Sequence, residues 1–201
     1  RWPGRVAVCD RLYDGDKWHN LAKRELSGVV APEDLFDFLG DRRDDVQAII
    51  HMGAISATTA TDVDLVLDNN FRLSLHLWRW CTEQQVPFIY ASSAATYGDG
   101  AAGFIDDGTI DALGKLRPLN PYGWSKHLFD RWVARTVGAG RDAPPHYAGL
   151  KFFNVYGPNE YHKGGQISVA LKNFREIAAG QPAVLFRSHN PEYGDGGQMR
   201  D

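Results

Sequence analysis

Short apolar runs of strand character alternate along this chain with stretches whose apolar residues recur at helical spacing, and that alternation constrains the fold most. The strand-like runs lie at residues 6–10, 48–54, 87–94 and 148–156. Between them, residues 62–84 carry Val63, Val66, Leu67, Leu73, Leu77 and Trp80 near helical spacing. Residues 121–137 offer Pro121 near a first helical turn and then Leu128, Phe129, Trp132 and Val133. Such β/α alternation implies an α/β fold, a mostly parallel sheet with helices on both faces. In a doubly wound sheet, ligands sit where the strands end, beside the switch in strand order. Candidate site positions therefore cluster at Asp10, Gly53, Ser93 and Asn154. The Gly-rich residues 193–198 read as a surface loop.

Composition bounds the class of partner. With 201 residues, 43% hydrophobic and 23% charged, the chain can bury one substantial core. A net charge of -3 and a pI of about 6.2 lack the basic field that nucleic acid or an anionic membrane surface selects, so a small-molecule partner is expected. Cys9 and Cys81 show no paired spacing and no neighbouring His or Cys cluster. Both are expected to be ordinary buried thiols, with neither a disulfide framework nor a metal site. No apolar run approaches the ~20 residues that span a bilayer, and no signal-peptide pattern is present, which makes the cytoplasm the default. The opening Arg1-Trp2-Pro3-Gly4 passes at once into a strand run, as expected of a chain cut rather than begun.

Tyr122-Gly123-Trp124-Ser125-Lys126 is the central feature. A Tyr and a Lys four apart at the start of a helix project from one face about one turn apart. Alone the spacing is weak, because a packed phenol with a solvated ammonium produces it often. Upstream, however, residues 88–98 read as an apolar strand whose end delivers Ser92, Ser93 and a turn. By alternation Ser92 points to the side of the strand opposite Ser93.

A Ser at a strand terminus with this Tyr and Lys resembles the catalytic set of extended short-chain dehydrogenase/reductases, and the resemblance runs from Val6 to the end. It implies a Rossmann-type doubly wound parallel sheet over residues 1–157 and part of a smaller C-terminal substrate domain over residues 158–201. The first strand and its Gly-rich pyrophosphate turn are expected to be missing, so the isolated 201-residue stretch is expected to bind cofactor poorly and turn over little. In such a site a phenol with a reference pKa of about 10 becomes a usable base beside an ammonium and a positive nicotinamide ring. Tyr122 would exchange the sugar hydroxyl proton, Lys126 would hold the nicotinamide ribose, and Ser93 would align the reacting oxygen.

Longer stretches narrow the resemblance: Met52-Gly53-Ala54-Ile55-Ser56-Ala57-Thr58-Thr59, Asp68-Asn69-Asn70, residues 90–98, and Phe153-Asn154-Val155-Tyr156-Gly157-Pro158 continuing into His162-Lys163-Gly164. Together they are similar to the ADP-L-glycero-D-manno-heptose 6-epimerase family. That similarity implies oxidation of heptose carbon 6 to a ketone, rotation of the intermediate, and return of the same hydride to the other face. Lys163 would be the second acid/base, and full-length protein a homo-oligomer acting on an ADP-sugar.

For the cofactor, Asp10 stands where an acid accepts the adenosine ribose hydroxyls, which suits NAD. Arg11 and Lys17 can hold a 2′-phosphate, and the family keeps NADP; NADP is favoured and NAD stays open. Met52, Gly53, Ala54, Ile55 and Ser56 are expected to pass under the cofactor, although the family often has an acid where Met52 stands. Asn69, Val155, Tyr122, Lys126 and Lys163 also match cofactor-contacting positions. Substrate positions implied are Ser93, Asn154, Gly165, Lys172, Phe186, Arg187, Ser188 and Arg200. Arginine suits a diphosphate through its planar fork. Lys172 falls where some members carry a histidine, and residues 189–198 run longer than in many relatives. A 4,6-dehydratase is disfavoured because Ala94 and Ala95 follow Ser93 with no carboxylate. A UDP-sugar 4-epimerase and a non-catalytic dinucleotide-binding protein are the rival readings.

Overall fold

The computed structural model describes residues 4–188 and 191–197. Along the chain run β1 (Ala7–Cys9), α1 (His19–Ala22), β2 (Gly28–Val30), α2 (Leu35–Asp41), β3 (Ile49–His51), α3 (Val63–Leu67), α4 (Leu73–Glu83), β4 (Phe88–Ser93), α5 (Ile110–Leu113), α6 (Pro121–Gly138), β5 (Tyr147–Phe152) and α7 (Val169–Ala178). These form two compact units, one spanning Val30–Phe153 and the other built from the chain through Val29 and from Asn154 on.

In the Val30–Phe153 unit, three strands pair in parallel in the order β3-β4-β5, with Ile49 opposite Phe88 and Ile89 opposite Ala148. Parallel neighbours need a crossover, and α3 with α4 supplies one while α6 supplies the other. Phe88 and Tyr90, alternate residues of β4, pack with Leu77, Trp78 and Cys81 of α4 and Phe129 and Val133 of α6. Trp78, 1% exposed, meets Phe88 and Phe129 edge-on at 6.1 and 6.2 Å. Burying each large side chain contributes about 1.5–3 kcal/mol. On the opposite face Ile50 and Leu150 are 64% and 43% exposed.

Helix starts follow local chemistry. Asn120 caps α6 by accepting the Gly123 N–H at 2.8 Å, with Pro121 in the first turn. Asp62 caps α3 through the Leu65 N–H at 3.0 Å.

Three sequence expectations change. The helix expected over 62–84 is interrupted by a π-helical turn, Asp68–Arg72, closed outside by the Arg72–Asp68 ion pair. Asn70, within that turn, keeps the buried face of the helix together with Val66, Ser74 and Trp78. The strands expected over 48–54 and 148–156 are shorter, because residues 52–56 and the chain beyond Phe152 leave the ladder. Cys81 is buried, its thiol pushed up to about 12 by desolvation. Cys9, expected to be buried, is exposed, because β1 has only three residues and Cys9 lies on an outward-facing side.

The other unit pairs β1 with β2. No helix among the described residues is long and apolar enough to cross a membrane.

Candidate active site

Ser93 is the last residue of β4, extended at φ -153° and ψ 149°, and 7% exposed. Its Oγ accepts the Ala95 N–H at 3.1 Å, capping the 3-10 turn Ala94–Tyr97. One lone pair is thereby spent on the protein, while the hydroxyl hydrogen can still be given to an outside acceptor. The cap and the proposed alignment of a reacting oxygen are compatible. Ser92 points the other way, as alternation requires, and donates to Asp130 at 2.6 Å.

Tyr122 and Lys126 lie one turn apart at the start of α6. Gly123 lets that turn press against the Ser93 cap: a β-carbon there would stand 2.6 Å from the Ala95 carbonyl oxygen. Tyr122 is half-buried, and Lys126 is 3% exposed. Desolvation lowers the Lys126 ammonium from 10.5 to about 8, against the opposing pull of Asp130. That ammonium forms no hydrogen bond or ion pair with the other described residues.

Residues 52–56 are held to this centre by Asn70, which sequence reasoning passed over. Asn70 is fully buried; its Oδ1 accepts the Ile55 N–H at 2.8 Å, and its Nδ2 donates to the Ile55 carbonyl and Ser125 Oγ, both at 3.0 Å. Ser125 Oγ donates in turn to the Tyr122 carbonyl at 2.7 Å. Asn69, the sequence candidate, gives its amide to the Leu65 carbonyl at 2.9 Å. On the β3 side, Ser74 donates to the Asn70 carbonyl at 2.7 Å and His51 Nε2 lies 3.0 Å from Ser74 Oγ. Because the Ser74 proton is already given away, His51 Nε2–H must be the donor. Burial, with the nearby Lys126 charge, lowers His51 from 6.5 to about 4, so it is neutral at pH 7. The signal for Asn70 lay in its spacing, four residues after Val66 and four before Ser74, both on the buried face.

Met52 is 50% exposed and Gly53 is open, a β-carbon there meeting only His51 Cε1 at 3.9 Å. Ala54 and Ile55 are half-buried and Ser56 exposed.

The other unit carries the remaining candidates. Asp10 follows β1; its Oδ1 accepts from Lys17 Nζ at 2.7 Å and the Arg11 N–H at 2.8 Å, and Lys17 also reaches the Arg11 carbonyl at 3.1 Å. Asn154 and Val155 are exposed beyond β5. Lys163 and Gly165, both exposed, sit in the 3-10 stretch Tyr161–Gln166. That stretch is tethered by Glu160, which accepts from the Gly157 N–H, the Ser168 N–H and Ser168 Oγ at 3.2, 2.6 and 2.7 Å. These donors hold the Glu160 carboxyl below the usual carboxylate range. Asn20 bonds the Asn159 carbonyl and His162, and Lys23 donates to the Asn159 side chain. Lys172, on α7, faces Glu176 at 3.9 Å. Phe186 and Arg187 are exposed, and the Ser188 N–H donates to Asp195 at 2.8 Å. Arg200 lies outside the described residues.

A nicotinamide dinucleotide fits these residues. Lys126 offers a buried ammonium that no other described residue satisfies, and residues 52–56 present backbone without crowding at Gly53.

A sequence model of the NAD dependent epimerase/dehydratase family matches residues 3–201. Among curated proteins, the chain is 43% identical over 198 residues to an ADP-L-glycero-D-manno-heptose-6-epimerase of Fusobacterium nucleatum subsp. nucleatum, covering 98% of this chain and 58% of that protein. It is 49% identical over 199 residues to the protein of that name from Nitratidesulfovibrio vulgaris strain Hildenborough, covering 98% of this chain and 59% of the relative. Among solved structures, the Helicobacter pylori ADP-L-glycero-D-manno-heptose-6-epimerase superposes with a TM-score of 0.70 at 28% identity, over 88% of this chain and 55% of that one. The Campylobacter jejuni UDP-Glc/GlcNAc 4-epimerase gives 0.60 at 28% identity, over 92% and 58%. The chain thus spans 58% to 59% of the length of the curated relatives it matches.

Proposed function

The chain belongs to the NAD dependent epimerase/dehydratase family, and from that premise we propose that the protein inverts carbon 6 of an ADP-glycero-manno-heptose by oxidising it to a ketone and reducing it on the opposite face. The observation that carries this reading is the junction of Gly123 with Ala95, which sets the Ser93 cap against the turn bearing Tyr122, with the Lys126 ammonium buried one turn behind. The names of the relatives at 43% and 49% identity point to the same substrate.

A bound nicotinamide cofactor supplies the oxidant for the sugar carbon and the reductant for its ketone. The residues of this chain move protons and hold orientation. Tyr122, as the phenolate that the Lys126 ammonium favours, would take the proton of the sugar hydroxyl and become a neutral phenol, and Lys126 would also hold the cofactor ribose. Ser93, its own lone pair engaged by Ala95, gives its hydrogen to the reacting oxygen and fixes it for transfer. Once the ketone has turned over in the site, a single phenol no longer reaches both orientations equally, and Lys163 serves as the acid/base for the other. Residues 52–56, with Asn69 and Val155, line the cofactor, and Asn154, Gly165, Lys172, Phe186, Arg187, Ser188 and Arg200 hold the nucleotide sugar.

NADP is the preferred cofactor. Asp10 has one oxygen engaged by Lys17 and by the Arg11 N–H, which blunts its negative charge, and two cationic side chains beside it suit a 2′-phosphate.

Full-length protein given ADP-heptose should yield product inverted at carbon 6 by NMR, and unchanged configuration would overturn the assignment. A nucleotide-sugar 4-epimerase is the second reading, favoured by the likeness to the Campylobacter jejuni enzyme. That chemistry needs only Ser93 and Tyr122, so Lys163→Ala should abolish carbon-6 inversion and spare carbon-4 inversion.

A further inference from the structure

Behind the Ser93 strand lies a buried polar cluster for which the mechanism above has no use. Asp130, 7% exposed, stands on α6 one turn after Lys126. Its Oδ2 accepts from Ser92 Oγ at 2.6 Å and from Lys151 Nζ at 2.7 Å, and its Oδ1 accepts from the Tyr90 hydroxyl at 3.2 Å. Lys151, on β5, also donates to Thr96 Oγ1 at 2.9 Å, in the turn that follows Ser93. The Tyr90 ring fits because Gly149 of β5 faces it; a β-carbon there would strike the phenol. One carboxylate thus joins β4, β5, the Ala94–Tyr97 turn and α6.

We propose that Asp130 is a positioning residue for the site, locking the end of β4 onto the helix turn behind Lys126 and facing that ammonium with a fixed negative charge. The inference rests on the assignment of Lys126 to the reactive centre. A buried carboxylate bonded only through donors cannot drift, and a carboxylate between two cations favours both. Tyr90 stays a donor, since burial and Asp130 raise its phenol far above the ordinary value. Desolvation pulls Lys126 down to about 8, and Asp130 opposes it. His51 from β3 also feels the Lys126 charge and is lowered to about 4, neutral at pH 7. Lys151 from β5 pairs directly with Asp130. Without that carboxylate, the buried Lys126 and the part-buried Lys151 lose the counter-charge that Asp130 supplies.

The test follows the Lys126 titration by 13C NMR of lysine-labelled full-length protein, with Lys126→Met identifying the resonance. Asp130→Asn is expected to move the midpoint down by about one pH unit or more. Ser92→Ala, which removes a hydrogen bond but keeps the charge, should leave it in place. Turnover of Asp130→Asn should show kcat falling about tenfold with KM changed less than about twofold, and an alkaline limb displaced in the same direction. A midpoint that stays put in Asp130→Asn overturns the role. Should that variant not fold, Asp130→Asn with Lys151→Met removes the stranded cation, and the same downward shift is required. A wild type that shows the Lys126 shift but no carbon-6 inversion sinks the proposed reaction and leaves the electrostatic role standing.

Discussion

Gly123 lies so near Ala95 that a β-carbon added to it would stand 2.6 Å from the Ala95 carbonyl oxygen. Backbone meets backbone at that point, so neither side has a flexible end that can yield. Gly123→Ala is expected to push the first turn of α6 off the Ser93 cap, costing about 1–3 kcal/mol in urea denaturation. Turnover should fall more steeply than stability suggests, because a displacement of ~1 Å at a reacting group can cost about 100-fold. Wild-type kcat in a folded Gly123→Ala protein would show that the contact does not set the site.

Asn70 makes three hydrogen bonds from a fully buried position. Asn70→Ala leaves the Ile55 N–H and carbonyl and Ser125 Oγ to find new partners, at about 1–3 kcal/mol for each group left unsatisfied. The loop of residues 52–56 then loosens, and cofactor should be lost during purification. The nicotinamide dinucleotide recovered per protein measures this, and full retention would contradict it.

His51 ties stability to acid. Its folded value of about 4 lies below the ordinary histidine value of 6.5, so as pH falls the unfolded chain takes the proton first. The stabilisation is complete above about 6.5 and is lost as pH falls toward about 4, a change on the order of 3 kcal/mol. Denaturation midpoints of wild type and His51→Gln should therefore converge as the pH is lowered through that window. Parallel curves would assign the acid sensitivity to other groups.

Much of this arrangement was legible in the residues. The β/α alternation implied the parallel pairing seen among β3, β4 and β5, and the four-residue spacing put Tyr122 and Lys126 on the first turns of α6. Strand alternation correctly sent Ser92 away from Ser93. What was hidden depends on long-range pairing. Helical periodicity is blind to one extra residue in a turn, so the π segment did not show. Asp130 and Lys151 lie 21 residues apart and look like surface charges until the sheet brings them to 2.7 Å. Cys9 looked like any buried thiol because its strand is too short for its pattern to declare a face.

Lys126 gives an activity prediction of definite sign. Its ammonium is present below about 8 and lost above it, so turnover should fall on the alkaline side of that value. Lys126→Met should lower kcat by about 100-fold or more across the range. An alkaline limb surviving unchanged in Lys126→Met would assign it to another group.

The most direct test of transient oxidation at the Ser93, Tyr122 and Lys126 site uses ADP-heptose carrying deuterium on carbon 6, given to the full-length protein in ordinary water. The expected product is inverted at carbon 6 and retains its deuterium, and Tyr122→Phe slows its formation. Inverted product in which deuterium has been exchanged for solvent hydrogen would mean that the carbon is deprotonated rather than oxidised, and would contradict the account.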